Sequence, residues 1–195
     1  MTTVPPNTAR LRVRPRWLRS GLLGLGLVFF GLPFTLVSCE TPGGFGHTRQ
    51  GGTTEWTGYD LATGSEPNRS NLRPPGEFLT DVVPAQPLMA AALALLIIAV
   101  VCSLAMSRPQ ARRCVSAALA GVTAAVLTAA TLLARFEVIE LVTDQLSDRT
   151  LPDGRTPESY VSIGGGYTLT MLTLATVLVA DLYWWLRHRR TRRGV

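Results

Sequence analysis

The feature that most constrains this chain is the gathering of its apolar residues into four long blocks, at residues 17–38, 88–106, 114–134 and 167–186. At about 1.5 Å of rise per residue, each is long enough to cross a hydrocarbon layer of roughly 30 Å as a helix. In a soluble domain of ordinary composition the 47% of hydrophobic residues would be spread along the chain rather than blocked. The expectation is an all-α membrane protein with four transmembrane helices. Only two connections exceed a short turn, so no room remains for a separately folded soluble domain with a large core of its own.

The net charge of +6 and the pI near 10.0 would suit a nucleic-acid binder if the basic residues formed one patch. They do not. Arg10, Arg12, Arg14, Arg16 and Arg19 precede or open the first block, Arg108, Arg112 and Arg113 separate the second from the third, and Arg187, Arg189, Arg190, Arg192 and Arg193 follow the fourth. These thirteen arginines have no acidic residue among them, whereas twelve of the thirteen acids lie in the other two connections. Short basic segments resist translocation. The basic tails at 1–16 and 187–195 and the loop at 107–113 are therefore expected in the cytoplasm, and the connections at 39–87 and 135–166 outside. This makes a multi-pass protein of the cell membrane with both termini cytoplasmic, its arginines serving as topological anchors to the lipid bilayer, with no nucleic acid as partner.

Within the blocks, the glycines from Gly21 to Gly31 leave a shallow surface that another helix can approach, and Pro33 is expected to kink or end the first helix about a turn later. Ala117, Gly121, Ala125 and Ala129 recur every four residues and predict a packing stripe on the third helix. Beyond Ala134 the apolar period continues through Val138, Leu141, Val142 and Leu146, with Glu137, Glu140, Asp144 and Asp148 on a different face, so this helix projects outside by about three turns. Leu151-Pro152-Asp153-Gly154 is turn chemistry, and Gly164-Gly165-Gly166 reads as a flexible joint before the fourth span. Tyr183, Trp184 and Trp185 form an aromatic belt at that span's end.

The first outer loop adds a small extracellular β element. Thr53, Thr54, Trp56, Thr57, Tyr59 and Leu61 favour a strand, and Phe34 to Glu40, forced from helix by Pro33, is the nearest antiparallel partner, with Thr41 to Gly46 turning the chain. Packing under the projecting third helix would support so small a sheet. Trp56, Tyr59 and Asp60 are its candidate partner surface.

Leu32-Pro33-Phe34, Val37-Ser38-Cys39 and the run Trp56-Thr57-Gly58-Tyr59-Asp60-Leu61-Ala62-Thr63-Gly64 resemble a pattern shared by small uncharacterised actinobacterial membrane proteins. The resemblance covers roughly residues 20–64 and implies location and architecture; it transfers no functional residue. The layout is also similar to that of claudin-type proteins, with four spans, inward termini and a larger first outer loop, although only Cys39 stands where that family has a cysteine pair.

Few constellations point to chemistry. Cys102 and Cys114 lie near the cytoplasmic side and Cys39 outside, with no Cys-x-x-Cys spacing. Leu36-Val37-Ser38-Cys39 resembles a lipobox, making Cys39 a candidate lipidation site. An intact first helix is favoured because the apolar stretch exceeds a usual signal core and contains Pro33. His47 and His188 fall on opposite sides, and Glu40 and Glu55 have no regular spacing around His47, so no metal or other cofactor is expected. Asp181 is the one carboxylate inside a block. It is a candidate intramembrane polar site, expected to reach headgroup water or to pair with Arg112 or Arg113 at the inner surface rather than to relay protons or ions. The leading functional expectation is a non-enzymatic membrane protein whose outer loops bind a protein partner or brace an envelope complex; a homo-oligomeric transporter or channel subunit using Asp181 is the alternative from another class.

Overall fold

The computed structural model describes residues 15–39, 52–70, 83–146 and 156–193. In chain order the elements are α1 (Pro15–Phe29), β1 (Pro33–Cys39), β2 (Gly52–Thr57), α2 (Gly58–Thr63), β3 (Asn68–Ser70), α3 (Pro87–Ala105), α4 (Pro109–Leu146), β4 (Val161–Ile163) and α5 (Gly165–Arg193), with a 3-10 turn at Pro157–Tyr160. The turns expected at Thr41 to Gly46 and Leu151 to Gly154, together with Glu40, His47, Asp148 and the side chain of His188, lie outside the described residues.

Among the described residues three helices are long and apolar enough to cross a membrane, over Pro87–Ala105, Gln110–Asp144 and Gly165–Arg187. Helices α1, α3, α4 and α5 form a ring in which α1 packs on α3 and α5, and both of these pack on α4. The ring buries Leu23, Met89, Leu96, Leu127 and Leu174, but alongside them many small and hydroxyl-bearing residues, and it exposes large apolar ones. Ala92, Ala99, Ser103, Ser116, Ala120, Thr123, Thr131, Thr170 and Thr173 are buried, while Ile97, Ile98, Val101, Leu104, Val122, Leu132, Leu133, Leu172 and Val179 are exposed. Small residues inside let the backbones approach, and large apolar residues outside suit an apolar solvent better than water.

The buried face of α4 corrects the expected packing stripe. It runs through Ser116, Ala120, Thr123, Leu127, Ala130, Ala134 and Val138, whereas Ala117 and Gly121 are half-buried and Ala125 and Ala129 exposed. A spacing of four overshoots a turn of 3.6 residues by about 40° per step, so a strict four-residue stripe wanders off the contact. Past Ala134 the helix does continue to Leu146, with Val138 and Val142 buried.

Helix α1 is shorter than its block. Its 15 residues end at Phe29, before Pro33 rather than after it, and rise only about 22 Å. The last turn tightens, with Gly31 N donating to Val28 O and Leu32 N to Phe29 O. The residue ahead of a proline is pushed out of the helical region, so the chain must leave the helix before Pro33 is reached. Of the glycines in this block Gly26 and Gly31 are closely approached: a methyl group on Gly26 would lie 3.1 Å from Thr173 Oγ1 and one on Gly31 3.3 Å from Val28 O and 3.5 Å from the Tyr59 ring, while Gly21 and Gly24 face open space.

One end of the ring is closed by a four-stranded antiparallel sheet of order β3-β2-β1-β4. Leu36 pairs with Glu55 and Val37 with Thr54 in the core ladder, so the two strands expected from composition do pair. The sheet is larger than that pair, because β3 adds to β2 through Thr54↔Arg69 and β4 adds to β1 through Thr35↔Ile163. A register irregularity between Pro33 and Thr35 lets both Phe34 and Thr35 be buried. Tyr59 and Leu61 correct the expected strand: they belong to helix α2. Thr57 caps that helix in a capping box, its hydroxyl accepting from Asp60 N while the Asp60 carboxylate accepts from Thr57 N at 2.9 Å.

Two further boundaries shift. The expected loop at 107–113 is mostly helix, since α4 begins at Pro109, and the tail after residue 186 is helical through Arg193. Gly164 to Gly166 is a site of close packing rather than a flexible joint. Gly164 N donates to Phe34 O at 2.8 Å, and methyl groups at Gly164 and Gly166 would fall 2.0 Å from Pro33 O and 2.5 Å from Leu32 O.

Candidate functional site

Two places gather the residues singled out in the sequence. The first is the cap. In the run from Trp56 to Gly64 nearly every residue has a part in the fold. Trp56 is 1% exposed. Gly58 N donates to Phe30 O at 2.9 Å, and a methyl group on Gly58 would collide with the Phe30 ring at 2.5 Å. The Tyr59 hydroxyl donates to Leu27 O at 2.9 Å, and its ring meets Phe30 edge-on at 5.5 Å. Leu61 O accepts from Gln86 N, Thr63 Oγ1 donates to Tyr59 O, and Gly64 closes α2 in the left-handed region at φ 71°. This run therefore locks α2 onto the ends of α1 and α3.

That placement revises the candidate partner surface. Trp56 faces the core and cannot touch a partner without opening the sheet. Asp60 is engaged in the capping box, and only Tyr59, at 38% exposure, presents an appreciable surface. Gln86 Nε2 also donates to the Glu137 carboxylate, tying the projecting part of α4 to the cap. Nothing in the apolar pattern pointed to Gln86; a polar residue just before Pro87 and the apolar block was its only signal.

The second place is the opposite end of the ring. Asp181 is 6% exposed, and its Oδ1 lies 2.5 Å from Arg19 Nη2. The partner is thus Arg19 of α1, not Arg112 or Arg113 of α4 as expected. Arg19 extends across the contact between α1 and α5, whereas the Arg113 guanidinium carbon sits over the Trp184 ring, 3.4 Å from its centroid. The contact at Oδ1 is an ion pair without aligned hydrogen-bond geometry, while Oδ2 accepts from Ser116 Oγ at 3.3 Å. Ser20 and Ser103 hydrogen-bond at 2.7 Å, linking α1 to α3. Polar groups of all four helices thus meet near this end.

Among the described residues the threonines above this cluster bond mostly within their own helices, apart from Thr128 Oγ1, which also meets the Tyr167 hydroxyl at 3.3 Å between α4 and α5. Thr131 donates to Leu127 O, Thr170 to Gly166 O, Thr173 to Thr170 O and Thr176 to Leu172 O, each within its own helix. Among the described residues no group of three or more His, Cys, Asp or Glu side chains gathers as a metal site would require. Cys39 closes β1 opposite Gly52, and Cys102 and Cys114 are free thiols. No protein-family model and no curated protein matches the chain.

Proposed function

We propose that the chain is a non-enzymatic integral membrane protein of four spans whose outer cap is a fixed platform for a partner in the cell envelope. The carrying observation is the cap's construction. It is hydrogen-bonded to α1 through Gly58 and Tyr59 and to α3 through Leu61, and Gly164 joins β1 immediately before α5. A loop that merely covered helix ends would not need such joints. Its outer strands β3 and β4 each pair on one side only among the described residues, leaving edges to which an extended segment can add.

The same geometry supports the orientation. Arg19, Arg108, Arg112, Arg113 and Arg187 lie towards the end opposite the cap, while Glu55, Asp60, Glu66, Glu137, Glu140 and Asp144 lie towards the cap. The positive-inside rule then puts the cap outside and both termini in the cytoplasm. Helix α1 serves as the fourth span despite its length, because it runs from the arginine end to the cap. Lipidation at Cys39 is the weaker reading: cleavage before it would remove α1 and six of the seven residues of β1, the strand that joins β2 to β4. A transport role rests on the burial of Asp181 alone, which its pairing with Arg19 accounts for.

Photo-crosslinking tests the platform. A crosslinking amino acid at Ile163 or Asn68, on the two edge strands, is expected to give the same discrete adduct in cells, and one at Ile98 on the exposed face of α3 is not. Absence of an adduct from both cap positions, with the protein folded and in the membrane, rejects the reading.

A further inference from the structure

Helix α1 runs antiparallel to α3, and two contacts fix their relative height. Ser20 Oγ lies 2.7 Å from Ser103 Oγ, and a methyl group on Gly26 would lie 3.7 Å from Leu96 Cδ1. Leu27 therefore stands level with Leu95 of α3, which lies about 12 Å in from Pro87 at the cap end of that helix. The whole of α3 rises about 28 Å, close to a hydrocarbon layer of roughly 30 Å. Whatever sits beside Leu27 is thus well inside the layer that α3 crosses.

That neighbour is Tyr59. Where α1 ends, Gly31 N donates to Val28 O, three residues back instead of four, so Leu27 O loses the amide that a continuing helix would bring to it. The Tyr59 hydroxyl donates to this carbonyl at 2.9 Å. In water a freed carbonyl is simply hydrated, whereas in hydrocarbon it must be satisfied from within the protein. The bond satisfies carbonyl and hydroxyl together and leaves the Tyr59 ring, 38% exposed, as an apolar surface near the exposed Val28. The charge of the next residue, Asp60, is turned into its capping box, accepting from Thr57 N and Thr57 Oγ1 at 2.9 and 2.7 Å. From this foot α2 climbs past the end of α3, where Leu61 O accepts from Gln86 N.

We infer that the foot of α2 is sunk in the cap-side leaflet of the bilayer, with the exposed face of Tyr59 against lipid acyl chains and its hydroxyl closing the carbonyl that the early end of α1 leaves open. The partner of Tyr59 is then the hydrocarbon of the membrane, and a protein partner is left to the edge strands above it. The inference rests on the four-span reading proposed above, but not on which side of the membrane the cap faces.

Spin labels test this, placed on single cysteines in the full chain without its native thiols, in phosphatidylcholine vesicles. Their collisions are measured with oxygen, which partitions into hydrocarbon, and with a water-soluble nickel chelate. Val28 and Ala94 are exposed at nearly the same height on α1 and α3, and their labels are expected within about 3 Å of each other in depth, the rise of two residues. A label at Tyr59 is expected to favour oxygen as they do, and one at Thr63, a turn further along α2, to favour nickel. The Val28 label leaves the Tyr59 hydrogen bond intact and decides the matter should Tyr59→Cys fail to fold. Nickel collisions at Val28 matching those at Thr63, while Ala94 favours oxygen, overturn the inference, as does a nickel preference at Tyr59 in a variant that melts like the native chain. A Val28 label reached by neither reagent also overturns it, because a protein segment or a second copy then covers this face. Failure of the membrane reading shows separately, as nickel reaching Ala94 as freely as Thr63.

Discussion

The Arg19–Asp181 pair shows how one residue's role depends on a partner far away in sequence. With side-chain exposures of 14% and 5%, both charges are largely withdrawn from water. Such a pair contributes little net stability relative to apolar replacements, yet breaking it strands a charge. Asp181→Leu alone is expected to destabilise the protein by about 3–5 kcal/mol, and Arg19→Leu by a similar amount. The double variant should recover most of that loss, as read by thermal melting in detergent. Additive losses would show that the two side chains act independently and would remove the structural role assigned here. The sequence exposed Asp181 as an oddity, because one carboxylate in an apolar block stands out. It could not select Arg19 over Arg112 or Arg113, because that choice depends on which helices are neighbours.

At the scale of elements, three consecutive glycines carry the sharpest contrast. Gly164 faces the backbone carbonyl of Pro33, the first residue of β1, and Gly166 that of Leu32 just before it, whereas a methyl group on Gly165 would meet nothing within 4 Å. Gly164→Ala or Gly166→Ala is expected to cost about 3 kcal/mol, the upper part of the usual range for overpacking, because the obstructing atoms are backbone and cannot rotate away. Gly165→Ala should be neutral or slightly stabilising, since it limits the unfolded chain without a clash. Melting curves of the three variants decide between a packed junction and a flexible joint, which predicts three similar small effects. Helix α2 makes the related point about local signals. Its capping box, Thr57 to Asp60, is written in the sequence, yet the alternating composition around it favours a strand. At this junction Gly58 brings the backbone against Phe30, so closely that a methyl group there would lie 2.5 Å from the ring.

For the whole molecule, the proposed orientation makes one test decisive. Single cysteines at Ser65, Gln110 and Thr191, in a background without the native thiols, are expected to react with an impermeant reagent in intact cells only at Ser65. Labelling at Gln110 or Thr191 but not Ser65 inverts the topology. In the native chain, the intact mass should retain the segment before Cys39, as the central place of β1 requires. The three long apolar helices, the pairing of β1 with β2 and the helical continuation beyond Ala134 were legible, because each follows from local composition or period; that the first helix stops at Phe29, short of Pro33, was not. The strands β3 and β4 were not, since three residues carry too little pattern to stand out. What the sequence determined by itself is therefore the set of elements driven by hydrophobic length and by strand-favouring composition. Only the tertiary structure decided that Trp56 is core, that Asp181 meets Arg19 and that the glycines before α5 are a junction. The reason is physical: those outcomes depend on distances between segments remote in sequence, and no local propensity contains them.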